Sequence, residues 1–239
     1  MKKIFLLAIA AFMFTTGMQA QIVRSQSTSI QREKTPSNTR WYMRLGLGLS
    51  KFVGEDVKDA DLSAKPSYDF MFGFQKPIAQ SSAYWGMELG FGQRGYKQSI
   101  EEKYDGAKLA LDQTFKTHNI KVVPFQFGYR AEIGSTNFAV DPHLGVFVSY
   151  DFAGKKTIDK FTIDGEDVTD ELDSDLKETS LSDMDNYPGV DVGIQFGVGF
   201  WWKNVNLDFT YQRGFIPVWD YDDCKVFSSQ FMIRLGFSF

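Results

Sequence analysis

The residues with the clearest catalytic potential are Asp141 and His143, which stand two positions apart in the segment Asp-Pro-His. Because side chains alternate along a strand, both would project from one face, where a carboxylate can orient an imidazole as a general base. A hydrolase would also need a nucleophile. Ser149 on the same face lies roughly 20 Å further along the strand, and no G-x-S-x-G elbow occurs. We therefore expect no catalytic residue and no enzyme, with His143 as a structural histidine.

Charged residues of both signs also recur at alternate positions within otherwise apolar segments. We predict that they point into one interior and neutralise each other as a lumen ion network, because a buried charge needs a partner. Neighbouring strands would pair Arg44 with Asp69 and Arg234 with Asp208. A gated ion path or a binding site is the alternative. The predicted network comprises Arg44, Asp69, Glu88, Arg94, Asp141, His143, Asp191, Asp208 and Arg234.

The segments that carry these residues show a period of two, which predicts β-strands. From Trp41 to Ser50, for example, large apolar residues alternate with polar residues or glycine. In the fourth segment, which contains Pro124, the period places Val123 outward and Val122 inward. The predicted strands are residues 41–50, 68–75, 85–92, 119–130, 138–149, 190–199, 205–212 and 230–239.

The gaps after the first, third, fifth and seventh predicted strands are long and the others are short, which is typical of outer-membrane barrels. Tryptophan and tyrosine concentrate at strand ends, as in the aromatic belts of membrane proteins. We predict an all-β fold, an eight-stranded antiparallel up-and-down transmembrane β-barrel with short periplasmic turns and long extracellular loops. One membrane girdle would comprise Trp41, Trp85, Tyr129, Trp202, Phe237 and Phe239.

The first residues predict export. Lys2 and Lys3 precede an apolar run to Phe14, and small or polar residues follow to Ala20, the pattern of a signal peptide. We expect a cleaved signal peptide over 1–20, a flexible periplasmic tail over 21–39 and the barrel over 40–239. The formal net charge of -4 argues against nucleic acid as a partner, and the single cysteine lacks zinc-site spacing. No metal and no cofactor are expected.

Five motifs carry a family resemblance: Arg44–Gly48, Gly92–Tyr96, Lys121–Phe125, Asp191–Gly197 and Leu235–Phe239. They resemble the Bacteroidota outer membrane protein β-barrel domain family, which includes PorT-like and "porin family" eight-stranded barrels. The resemblance covers residues 41–239 and implies an architecture more specifically than a task, although a minority of PorT-like members take part in a secretion machinery. The terminal Phe-x-Phe implies recognition by the barrel assembly machinery, but Arg234 stands where glycine is usual.

Eight strands enclose an interior that side chains can fill, which disfavours an open pore. We therefore expect a non-enzymatic barrel of the bacterial outer membrane that acts through its extracellular loops or its wall. The expected partners are outer-membrane lipid, the barrel assembly machinery and another envelope or secretion protein. Two alternatives stay open, a narrow gated channel and a lipid A-modifying hydrolase that would use His118 at the membrane surface.

Two predicted loops have unusual compositions. Residues 153–186 are rich in carboxylates, which fits a solvated loop or a surface for a ligand or partner; their order does not match an EF-hand calcium loop. Residues 215–221 are mostly apolar, which predicts packing over the barrel mouth or against a partner.

Overall fold

Eight long strands dominate the protein, whose computed structural model describes residues 39–54, 62–79, 81–104, 106–134, 136–184, 187–221 and 224–239. The predicted signal peptide and residues 21–38 of the predicted tail lie outside the described residues. The strands are β1 Arg40–Val53, β2 Leu62–Pro77, β3 Ala83–Tyr104, β4 Ala107–Tyr129, β5 Phe138–Ile163, β6 Val190–Trp202, β7 Val205–Gly214 and β8 Cys224–Ser238.

Each strand pairs antiparallel with the next one along the chain, and β8 also pairs with β1. This closing ladder runs from Tyr42 opposite Ser238 to Val53 opposite Phe227. Closure gives the backbone N–H and C=O groups of the first and last strands their partners, which removes the free sheet edges. The predicted eight-stranded antiparallel barrel is confirmed.

The two faces of the sheet have opposite chemistry. On β1, Leu45 and Leu47 point outward and are 66% and 73% exposed, whereas Arg44 points inward and is fully buried. The other strands repeat this alternation, with apolar side chains outside and polar side chains inside. A water-soluble domain would place these faces the other way round, because burial of apolar surface drives folding in water.

Strand β4 departs from the predicted alternation. Its register with β5 shifts between Val122 and Phe125, around Pro124, and its register with β3 shifts at the same level. A proline cannot donate to the ladder, and an extra residue at a bulge reverses the faces of the strand. The predicted outward position of Val123 is therefore wrong: Val123 is buried, and Lys121 also points into the barrel.

The two ends of the barrel differ. At one end the connections are short, at residues 78–82, 130–137 and 203–204. At the other end β3 and β4 continue as a hairpin, in which β3 ends at Tyr104 and β4 begins at Ala107; Gly106 has a φ of +87° that favours glycine. The predicted long loop after the third strand is therefore wrong. Polar residues on both faces of this hairpin hide its period of two.

The acidic segment 153–186 is likewise more regular than a loop. Its first part continues β5 to Ile163, and the short strands Glu166–Asp167 and Glu178–Ser180 pair back onto β5. No helix in the described part of the chain is long and apolar enough to span a membrane. The remaining short elements are the strands Ala131–Glu132 and Trp219–Tyr221, the 3-10 helices Thr169–Glu171 and Leu181–Asp183, and the α-helix Ser174–Lys177.

Candidate functional site

The barrel interior contains every residue of the predicted ion network, and each of them is at most 5% exposed. They occupy inward positions on seven of the eight strands, because the period of two directs every second side chain to the axis. The interior of an eight-stranded barrel is narrow enough for side chains to meet across non-adjacent strands. Which charges pair in the network therefore depends on contacts across the lumen as well as on neighbouring strands.

The shortest ion pair at mid-barrel joins Arg234 on β8 to Asp69 on β2. Nη2 of Arg234 lies 2.6 Å from Oδ2 of Asp69, and Nε lies 3.2 Å and 3.1 Å from the two carboxylate oxygens. Strand β1 separates these strands, but its residue in register with both partners is Gly46. The missing side chain leaves space for the pair to form over the backbone of β1.

Arg44 contacts other carboxylates. Its Nη1 lies 3.0 Å from Oε1 of Glu88 on β3 and 3.8 Å from Oδ2 of Asp208 on β7. Glu88 also accepts hydrogen bonds from the Tyr42 hydroxyl (2.7 Å) and from Nε2 of Gln195 (3.1 Å). The predicted pair of Arg44 with Asp69 is thus wrong. Asp208 does lie directly opposite Arg234 on the neighbouring strand, as predicted, but the close ion pair of Arg234 is with Asp69 across Gly46.

The His143 ring faces the carboxylate of Asp208 and not that of Asp141. Its Nε2 lies 3.6 Å from Oδ2 of Asp208, and its Nδ1 lies 3.2 Å from the backbone oxygen of Asp141. Asp208 is further held by the Thr210 hydroxyl, which donates to Oδ1. In the described part of the chain no serine or threonine hydroxyl bonds the His143 ring. The Asp141–His143 dyad that the sequence spacing allowed does not form, and the buried His143 ring faces Asp208 instead.

The Asp141 carboxylate instead organises the end of the barrel with the short turns. It accepts hydrogen bonds from the Tyr84 hydroxyl (2.7 Å), Nε1 of Trp201 (2.8 Å) and Nε2 of Gln75 (3.3 Å). Arg130 lies 3.7 Å from the same carboxylate and stacks over the Trp201 ring at 4.2 Å. The Asp141 side chain and the aromatic rings around it therefore occupy this end of the lumen.

Arg94 organises the opposite end. Its guanidinium contacts Oδ2 of Asp151 at 2.7 Å and Oδ2 of Asp191 at 2.6 Å. Tyr187, from the connection before β6, donates its hydroxyl to Asp151. Burial raises the pKa of Tyr187, so this hydroxyl remains a donor at neutral pH. The sequence prediction omitted Asp151, although it continues the inward period of β5.

Lys121 is the other interior charge that the prediction missed. Its Nζ donates to Oε1 of Gln212 (2.5 Å) and to Oε1 of Gln230 (3.2 Å). Pro124 was the available signal, since a proline inside a strand indicates a bulge and so a change of face. A cavity of about 10 Å³ beside Lys121 and Arg94 has room for about one water molecule.

An apolar plug lies beyond Arg94. We define it as Phe52, Tyr96, Phe115, Val218 and Val226, which form one buried cluster. The three rings pack with centroid distances of 5.1 to 5.8 Å. Val218 belongs to the apolar segment 215–221, and its burial agrees with packing over the barrel mouth, one of the two predictions for that segment, whereas Phe215 is 53% exposed. The plug and the ion network both lie inside the lumen.

The residues of the predicted girdle lie on the outer face near the short turns. Trp41 stacks on Phe72 at 5.6 Å, and Phe72 lies 6.3 Å from Phe239. Trp85 packs against Phe74 at 5.3 Å, which in turn contacts Trp41. Tyr129, Trp202 and Phe237 are exposed on the same surface. Contact of this band with lipid headgroups stays a prediction.

His118 lies on the outer face toward the opposite end of the barrel. Its Nδ1 is 3.2 Å from the Tyr68 hydroxyl, and the ring is partly exposed. No carboxylate in the described part of the chain forms a hydrogen bond or an ion pair with this ring. The described residues include no group of three or more histidines, cysteines or carboxylates that could hold a metal ion.

The comparison with protein families agrees with this architecture. A family model described as "Outer membrane protein beta-barrel domain" matches residues 19–220. The chain belongs to this family. As a member of the outer membrane protein β-barrel domain family, it is an outer-membrane protein.

Solved outer membrane proteins share low sequence identity with this family member. The chain is 11% identical to a major outer membrane protein from Thermus thermophilus, covering 84% of this chain and 100% of that one, with a TM-score of 0.45. It is 14% identical to neisserial surface protein A, covering 83% and 97%, with a TM-score of 0.39. It is 14% identical to the attachment invasion locus protein Ail of Yersinia pestis, covering 84% and 99%, with a TM-score of 0.38. No curated protein matches the chain.

Proposed function

We propose that this protein is a non-enzymatic scaffold of the outer membrane, which holds a β-sheet extension outside the bilayer for contact with another envelope or secretion protein. One observation carries the proposal. Strands β3, β4 and β5 contain 22, 23 and 26 residues. A strand needs only about 9–11 residues to cross a bilayer. The remaining residues form a paired, projecting surface that the membrane span does not require.

The side chains inside the lumen favour a scaffold role and disfavour a channel role. Mid-barrel arginines are held by carboxylates, the space beside Lys121 is about 10 Å³, and the apolar plug covers the interior above Arg94. Ions would have to displace several buried charge pairs to pass, and breaking one such pair costs about 3–5 kcal/mol. We therefore assign the charges a structural role.

The histidine contacts support a non-enzymatic role. His143 and Asp208 are buried inside the barrel, where a lipid substrate has no access. His118 is accessible but bonds Tyr68 instead of a carboxylate. A hydrolase mechanism would need a base and a nucleophile within hydrogen-bond reach of the substrate.

The unequal ends support an orientation. Outer-membrane barrels place short turns in the periplasm and longer connections outside the cell. By this rule the turns at 78–82, 130–137 and 203–204 face the periplasm, and the hairpin of β3 and β4 faces outward. An exported chain with a cleaved signal peptide over 1–20 fits the same orientation.

Site-specific photo-crosslinking in native outer membrane tests the proposal. A photoreactive residue at Tyr104, which is 75% exposed at the hairpin tip, should yield a discrete crosslinked protein. The matched control is Phe127, an outward residue of the barrel wall, which should crosslink lipid. Protein adducts from Phe127 alone, or stable conductance steps of the purified barrel in planar bilayers, would contradict the proposed role.

A further inference from the structure

Lysines on the outer face of the sheet extension occupy neighbouring positions just beyond the apolar barrel wall. Lys116 on β4 is directly opposite Lys155 on β5. Lys97 on β3 is opposite Thr114, two residues from Lys116, so Lys97 and Lys116 are diagonal neighbours. Like charges directly opposite each other on antiparallel strands are destabilising unless an anion lies between them.

A fourth lysine joins this group from β2. Nζ of Lys65 donates to Oε1 of Gln93 at 3.1 Å. Burial lowers the pKa of Lys65, and the positive charges of Lys116 and Lys97 lower it further. We call Lys65, Lys97, Lys116 and Lys155 the basic patch.

Among the described residues, Lys155 is the one lysine of the basic patch with an ion pair to a carboxylate. Lys155 lies 2.5 Å from Glu178, but Lys65, Lys97 and Lys116 form no ion pair with a described residue. Two nearby carboxylates, Asp159 and Asp112, accept hydrogen bonds from the Thr114 and Ser99 hydroxyls and keep their negative charges. Among the described residues, four lysines against Glu178, Asp159 and Asp112 leave the patch with one positive charge in excess.

The height of the basic patch matches a membrane interface. On β4 the last exposed apolar residue of the wall is Ile120, and Lys116 follows four residues further out. At about 3.3 Å per residue and a strand tilt of about 40°, Lys116 stands roughly 10 Å above Ile120 along the membrane normal. Long lysine side chains can bend back toward the headgroups. Tyr68, His118 and Tyr150 lie between the wall and the lysines.

We propose that the basic patch binds the phosphorylated headgroup of an anionic lipid in the outer leaflet, whose acyl chains lie against the apolar wall below. The inference rests on the outer-membrane location and on charge complementarity, and it is independent of any protein partner. A phosphate between Lys97, Lys116 and Lys155 would accept charge-assisted hydrogen bonds from all three ammonium groups. It would also relieve their mutual repulsion.

Titration of the folded full-length protein in detergent micelles tests the proposal. The probes are diphosphoryl lipid A and the same lipid after removal of its phosphates, with bound lipid counted by native mass spectrometry. We expect the triple variant K97Q/K116Q/K155Q to bind diphosphoryl lipid A on the order of a hundredfold more weakly than wild type. The dephosphorylated lipid should bind wild type more weakly than diphosphoryl lipid A does, by a similar factor.

Two variants keep the test specific. K103Q/K108Q/K160Q removes the same charge nearer the tip of the extension and should bind like wild type. K97R/K116R/K155R keeps the charge and should retain binding, and heat-modifiable gel migration verifies that each variant is folded. Equal affinity of wild type for both lipids would overturn the proposal. An equal loss of affinity in K103Q/K108Q/K160Q would also overturn it. Complete displacement of the lipid by millimolar inorganic phosphate would do the same.

Discussion

Arg234 on β8 and Asp69 on β2 form a buried ion pair although strand β1 lies between β8 and β2. The pair crosses the backbone of β1 at Gly46, which is in register with both residues. Glycines take similar positions elsewhere: Gly73 lies between Tyr42 and Glu88, which are joined by a hydrogen bond of 2.7 Å. Inward glycines thus let large polar side chains interact over an intervening strand.

The Arg234–Asp69 pair should show strong coupling in a double-mutant cycle. R234M and D69L should each destabilise the barrel by about 3–5 kcal/mol, because each leaves an unpaired buried charge. R234M/D69L should cost less than the sum, since neither charge remains. Urea unfolding followed by tryptophan fluorescence measures these free energies. Additive effects would show that the two residues do not depend on each other.

A side chain at position 46 should separate the pair without removing either charge. A Cβ there would approach Cγ of Arg234 to 2.8 Å and would overlap the Asp69 carboxylate. We expect G46V to destabilise the barrel by about 3 kcal/mol or more. The neighbouring outward variant L47V is the control and should unfold near the wild-type midpoint. A wild-type unfolding midpoint for G46V would mean that the Arg234–Asp69 pair does not need the open space at position 46.

The hairpin extension should be dispensable for the barrel. Residues 99–112 can be removed by joining Gln98 to Gln113, which are register partners, through an Asn-Gly turn. Heat-modifiable migration should persist, with a melting midpoint within about 4 °C of wild type. Crosslinking through the extension should be lost. Failure of the shortened protein to fold would show that the hairpin also stabilises the barrel.

Tyr187 should make the extracellular end sensitive to alkaline pH. Burial raises its pKa above the ordinary value near 10, so the folded state retains a proton that the unfolded state loses. Its contribution to stability is complete below pH 10 and declines as the pH rises above that value. Unfolding free energies between pH 8 and about 11 should fall more steeply for wild type than for Y187F. Parallel curves would contradict this linkage.

The period of two was sufficient to predict the fold. The alternation in β1, β5 and β6 was strong because lipid selects apolar residues on one face and the lumen selects polar or small residues on the other. Beyond the wall this contrast disappears. The pairs Gln98–Gln113 and Ser99–Asp112 are polar on both faces, so the hairpin of β3 and β4 carried no periodic signal.

The contents of the lumen were predictable, but the contacts were not. Alternation places Arg44, Asp69, Asp208 and Arg234 inside, whereas their partners depend on the register of three strands and on the glycine between them. Lys121 was missed for a related reason, because the bulge near Pro124 shifts the register by one residue. Register and bulges arise from pairing over the whole sheet, which a local pattern does not contain.

The position of Gly46 on the closing seam has a consequence for how the barrel is completed. Arg234 can reach Asp69 only after β8 has paired with β1, so an open sheet would leave both charges without this partner. A lone charge at the bilayer centre costs about 2.5–3.5 kcal/mol or more. Intermediates in which β8 is not yet paired with β1 are therefore destabilised for two reasons: their backbone hydrogen-bonding groups lack partners, and so do these two charges. The ion pair therefore adds to the free-energy difference that favours the closed barrel over an open sheet.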